Sequence, residues 1–127
     1  MTGYPFGKHS LEVRATLHPD LVKVVDEVSK EINLTLLCGH RNQEDQDRAF
    51  AEGKSKLKWP KSRHNTTPSE AIDAAVYPVN WNDIESFKKL AVKFKEAAAR
   101  VNVEIEWGGD WKTFKDWDHF QLKKKPA

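Results

Sequence analysis

Two short segments hold residue types that could bind a metal and move protons. Ser62-Arg63-His64 is followed by Asp73, nine residues after the histidine, and Asp116-Trp117-Asp118-His119 lies near the end of the chain. Two imidazoles and a carboxylate are zinc-type ligands, and three protein ligands leave a tetrahedral ion one position open to water. Water held there loses a proton near neutral pH, which is what a hydrolase needs. Asp116, three residues before His119, adds a carboxylate able to carry protons. The residue types alone leave ordinary roles equally open: a histidine exposed on a polar loop, an aspartate paired with a lysine, a turn residue.

Apolar periodicity supplies elements that could position these groups. Leu17, Leu21, Val24, Val25, Val28 and Ile32 recur at three and four residues, which predicts a helix over 19–31 with Pro19 and Asp20 in its first turn. The run Leu34–Cys38, bounded by Gly39, reads as a buried strand. Gln43–Glu52 reads as a polar-faced helix with Ala49 and Phe50 inward, stopped by Gly53. Gly53–Ser69 has no sustained period and forms a long loop, a feature that compact domains often use for function. Ala71–Tyr77 is a strand, 82–100 a second long amphipathic helix, Val103–Trp107 a half-buried strand and Asp118–Leu122 a short last one. If Phe120 and Leu122 face the core, His119 and Gln121 face the other way. This order predicts one α+β domain over residues 1–127, with a small, mostly antiparallel sheet and helices packed on one face.

Composition narrows the classes. Apolar residues are 39% and charged residues 31% of the 127, with a net charge of +2, which argues against compositional disorder and against a membrane-embedded chain. No apolar stretch approaches spanning length, and Met1–Lys8 lacks the apolar centre of a signal peptide. Synthesis and retention in the cytoplasm are therefore expected. Lys54, Lys56, Lys58, Lys61 and Arg63 crowd one stretch and Lys123-Lys124-Lys125 another, but no nucleic-acid motif accompanies them, so no nucleic-acid partner is expected. Cys38, the only cysteine, reads as a buried strand residue.

Several segments, in order along nearly the whole chain, resemble the M15 zinc peptidases, which include D-alanyl-D-alanine carboxypeptidases and dipeptidases and phage L-alanyl-D-glutamate endopeptidases. The matching pieces are His18-Pro19-Asp20-Leu21; Cys38-Gly39-His40-Arg41 with Gln46 beyond; Ser62-Arg63-His64 leading to Ala71-Ile72-Asp73; and Trp107-Gly108-Gly109-Asp110-Trp111 leading to Asp116-Trp117-Asp118-His119-Phe120. The short length and the Trp-Gly-Gly-Asp-Trp segment look most like the phage endolysin branch.

The resemblance implies a Hedgehog/DD-peptidase-like fold and a Zn2+ held by His64, Asp73 and His119. It makes Asp116 the catalytic acid and base, with the adjacent Asp118 as rival, and gives Arg41 the developing oxyanion. Ser62 and Gln46 are assigned to substrate binding. Many members place the aspartate seven residues after the histidine, whereas Asn65–Glu70 lengthens the step here to nine. The expected activity is metal-assisted hydrolysis of the L-alanyl-D-glutamate bond of the peptidoglycan stem peptide by a monomer, without membrane insertion and with access through a holin. Cleavage at the D-alanyl-D-alanine end, or a noncatalytic wall-binding zinc module, are the alternatives.

Overall fold

The computed structural model describes residues 3–113 and 115–123. Of the basic run Lys123-Lys124-Lys125, Lys124 and Lys125 lie outside the described residues. Helix α2 (Pro19–Ser29) starts with Pro19 in its first turn, and the His18 ring accepts from Asp20 N at 3.0 Å. Its stripe of Leu21, Val24, Val25 and Val28 is fully buried. Helix α4 (Ile84–Arg100) is capped by Asp83, whose carboxylate accepts from Ser86 N at 3.1 Å, and it buries Phe87, Leu90, Ala91, Phe94, Ala97 and Ala98. These two helices pack on each other and share one core with the inward face of the sheet.

The sheet has four antiparallel strands in the order β1 (Leu34–Cys38), β2 (Ala71–Val76), β4 (His119–Leu122), β3 (Ile105–Trp107). Alternation along the strands sorts the side chains. Leu34, Leu36, Ile72, Ala74, Phe120 and Trp107 join the core, with Phe94 stacked on Phe120 at 3.9 Å between centroids. Asp73, His119, Gln121 and Glu106, each one residue out of phase, therefore lie on the opposite face. The pairings Asp73↔His119 and Glu106↔Gln121 set them side by side.

The expected α+β layout is present, with three differences. A first helix, α1 (Lys8–Arg14), precedes those predicted; it buries only Ser10 and Val13, too few apolar positions to give a period, and Ser10 Oγ accepts from Leu36 N at 3.0 Å. Helix α3 (Gln43–Ala51) stands apart from the core, burying Gln46 alone, while Phe50 is exposed beneath Lys58 and does not point inward. The long loop is interrupted by a 3-10 turn at Arg63–Asn65. Among the described residues no helix is long and apolar enough to cross a membrane.

Candidate metal centre

His64 sits in the 3-10 turn, Asp73 in β2 and His119 at the start of β4. Strand pairing and the turn converge them: His64 Nε2, Asp73 Oδ1 and His119 Nδ1 are mutually 3.2 Å apart. A tetrahedral ion with bonds of about 2.0–2.1 Å spaces its ligand atoms about 3.3–3.4 Å apart. The residues thus fit such an ion in distance.

They also fit it in protonation. His64 Nδ1 lies 2.7 Å from the Gly39 carbonyl, and a carbonyl can only accept, so that nitrogen carries the proton and Nε2 presents a lone pair. On the other side of the site, Gln121 Nε2 donates to Glu106 Oε2 at 3.3 Å, which turns its Oε1 toward His119 Nε2 at 2.8 Å. His119 Nε2 is then the protonated nitrogen, and Nδ1 is free to ligate. Two lone pairs and a carboxylate oxygen meet at one point, an arrangement suited to holding a metal cation. In the metal-free, protonated form of the site, burial raises the Asp73 pKa, but the His64 charge and the hydrogen bonds from both imidazoles bring it well below the usual carboxylate range.

The turn that carries His64 is fixed locally. Ser62 Oγ accepts from His64 N at 3.2 Å and Asn65 Oδ1 accepts from Ser62 N at 3.0 Å, a reciprocal cap. Arg41 N donates to the His64 carbonyl at 2.7 Å, joining the turn to the end of β1. Arg63 donates to Glu70 Oε1 at 2.9 Å and to the Leu122 carbonyl at 2.7 Å, joining it to the end of β4.

A cleft of about 430 Å³ opens beside His64, Asp73 and His119, lined among others by Arg41, Ser62, Asp116, Asp118 and Trp111. Asp116 Oδ2 is 3.9 Å from His119 Nδ1, and a turn at Trp117-Asp118 brings it to the same side as His119, so β4 begins at His119 rather than at Asp118. Gly108 makes room for this: a Cβ there would collide with the Asp116 carbonyl, and Asp116 N donates to Gly108 O at 3.1 Å. Asp118, the rival acid and base, also lines the cleft and hydrogen-bonds Asp116. Burial, then the charges of Asp73 and Asp116, push its pKa up to about 9, which makes Asp118 a proton donor toward Asp116 at neutral pH.

A sequence model of the family described as phage L-alanyl-D-glutamate peptidase matches residues 2–124. The chain belongs to that family. This peptidase-family chain is 32% identical to the L-alanyl-D-glutamate peptidase of Escherichia phage T5, over 95% of its own length and 90% of the relative's. To the peptidoglycan L-alanyl-D-glutamate endopeptidase CwlK of Bacillus subtilis (strain 168) it is 26% identical, over 88% and 77%. The crystal structure of the Serratia marcescens L-Ala D-Glu endopeptidase ChiX superposes with a TM-score of 0.80 at 32% identity, covering 93% of this chain and 89% of that one. The resemblance read from the motifs and the α+β fold is the one these relatives share.

Within this family member, His64, Asp73, His119 and Asp116 come together despite the nine-residue step. Arg41 joins them: Nη2 is 3.7 Å from Asp73 Oδ2, while the nearby Glu44 and Asp45 pair with Arg48. Ser62 lines the cleft but spends its hydroxyl on the His64 turn. Gln46 requires correction as a substrate contact. It is fully buried and its amide is consumed by Arg41, Ser55, Leu57 and Asn65, so it is out of a substrate's reach. The contacts of three groups at the site are not predicted by the sequence reading. Glu106 and Gln121 orient His119, and Cys38, half-buried, places its sulfur within 4.8 Å of ligand atoms of His64 and Asp73.

Proposed function

We propose that this chain is a zinc-dependent peptidoglycan endopeptidase that hydrolyses the L-alanyl-D-glutamate bond of the stem peptide. The observation that carries the reading is the triangle of three acceptor atoms, 3.2 Å on each side, whose two imidazoles have their protons committed elsewhere. The substrate follows from the names of the relatives, and zinc from the donor set, two nitrogens and one carboxylate oxygen.

A zinc ion held by His64, Asp73 and His119 supplies Lewis acidity for the scissile carbonyl and lowers the pKa of water. The remaining work belongs to side chains. Asp116 accepts the proton of the attacking water and returns it to the leaving amine, so no covalent enzyme intermediate forms. Asp118 donates to Asp116 and orients it. Arg41, its fork held by Gln46, offers a permanent donor to the negative charge that develops on the former carbonyl oxygen. In this reading the protein works as a monomer, is made in the host cytoplasm and meets the wall after a holin opens the membrane.

Digestion of purified peptidoglycan followed by mass spectrometry of the new termini tests the reading. L-alanine carboxyl ends and glutamate amino ends should appear, vanish with chelator and return with zinc. Release of D-alanine without those ends would overturn it.

A further inference from the structure

The cleft beside the ligands is unevenly charged. Its carboxylates other than Asp73 come from Asp116 and Asp118, just before β4, whereas its cations come from the other wall: Arg41 after β1, Lys54 and Lys56 after α3, and Arg63 in the 3-10 turn. Arg63 is committed to Glu70 and the Leu122 carbonyl, and Arg41 to Gln46. Lys56 has a partner of its own, and Lys54 pairs with Glu52 at 3.1 Å, but both side chains of the latter pair are largely in solvent, where such a pair is worth little and exchanges readily.

The segment that bears the two lysines is built into the site. Gln46 Nε2 donates to Ser55 Oγ at 2.9 Å and to the Leu57 carbonyl at 2.5 Å, gripping the chain on both sides of Lys56. Gln46 Oε1 accepts from Arg41 Nη1 at 2.9 Å and from Asn65 Nδ2 at 3.2 Å. One fully buried amide thus holds the lysine segment, the cleft arginine and the turn of His64 in a single frame. A merely solvated surface loop needs no such anchor.

The substrate chemistry supplies a matching charge. A glutamyl residue just beyond the scissile bond uses its amine in that bond and one carboxyl in the next, which leaves its other carboxyl free and anionic. We propose that Lys54 and Lys56 form the subsite for this free carboxylate and so set the requirement for an acidic residue on the leaving-group side. The inference rests on the endopeptidase reading.

Two synthetic stem peptides test it, identical except that one carries the free carboxylate and the other its carboxamide. The zinc-loaded protein should cleave the acid with roughly tenfold or more higher kcat/KM, the scale of one charge-assisted hydrogen bond, with the difference mainly in KM. In Lys54→Gln/Lys56→Gln the ratio should fall toward one, and added salt should lower it in the wild type. Lys89→Gln, on the solvent face of α4, should keep the wild-type ratio. Equal cleavage of both peptides by the wild type, or an unchanged ratio in the double variant, would overturn the subsite while leaving the endopeptidase reading in place. Cleavage of neither peptide would remove both.

Discussion

His64 Nε2 and His119 Nδ1 face each other at 3.2 Å while the far nitrogen of each ring is hydrogen-bonded to an oxygen acceptor. Without a metal, a proton must fill the gap. Burial pulls the His64 pKa down, but the charge and hydrogen bond of Asp73, with Cys38 adding, outweigh it and bring the value up to about 10. The metal-free site therefore carries an imidazolium at neutral pH, which zinc must displace. Zinc binding near pH 7.5 should release about one proton or more per ion. Calorimetric titrations in two buffers of different ionisation enthalpy read this directly, and identical heats in both would contradict it.

The same groups give the metal-free protein a pH profile. His64 is raised above its ordinary 6.5, so its stabilising contribution is complete below that pH and is lost as pH climbs toward 10. Asp118 keeps in the folded state a proton that the unfolded chain releases near 3.8, so it lowers stability progressively up to about pH 9. Both act in one direction above neutrality. The Tm of chelated protein should fall between pH 7 and pH 10, and saturating zinc should flatten the decline. A flat profile without metal would count against the assigned protonation states.

Removing the support behind His119 should weaken metal binding without unfolding the protein. Gln121 is partly exposed and holds the His119 ring from behind, with Glu106 fixing the amide. Gln121→Ala should reduce zinc affinity about 10–100-fold, measured by competition with a chromophoric chelator.

Asp116→Asn keeps the shape and hydrogen-bonding capacity of the side chain but cannot shuttle a proton. The kcat should drop by about 10²–10⁴ while bound zinc stays at the wild-type level. If activity survives in this variant and is lost in Asp118→Asn, the roles of the two carboxylates are reversed.

In the core, Phe94→Ala removes a fully buried ring stacked on Phe120, the residue whose neighbour on the opposite face is His119. A cost of about 3–5 kcal/mol is expected in urea unfolding.

Much of this was legible in local patterns. The stripe of α2 and the stripe of α4 follow from spacing alone, and period-two alternation along Phe120 and Leu122 assigns His119 and Gln121 to a common face. Non-local pairing was not legible. That Glu106 backs Gln121 depends on β3 lying beside β4, and nothing within either segment encodes that adjacency. Gln46 looks like a solvated residue on a polar helix, and its burial arises from partners five to nineteen residues away in sequence. Asp118 lies in a turn rather than in β4, so strand alternation does not predict where its side chain points. Helix α1 is too short and too poor in apolar residues to announce itself.

The pairing Asp73↔His119 also governs when the site comes into being. His119 emerges during synthesis 46 residues after Asp73, on a four-residue strand that must slot between β2 and β3. A nascent or partly folded chain in which β4 is unpaired holds at most two of the three ligands, too few to grip the ion firmly. In the folded chain the three groups come together only where β4 is paired with β2, so closing the sheet and assembling the site are one structural event.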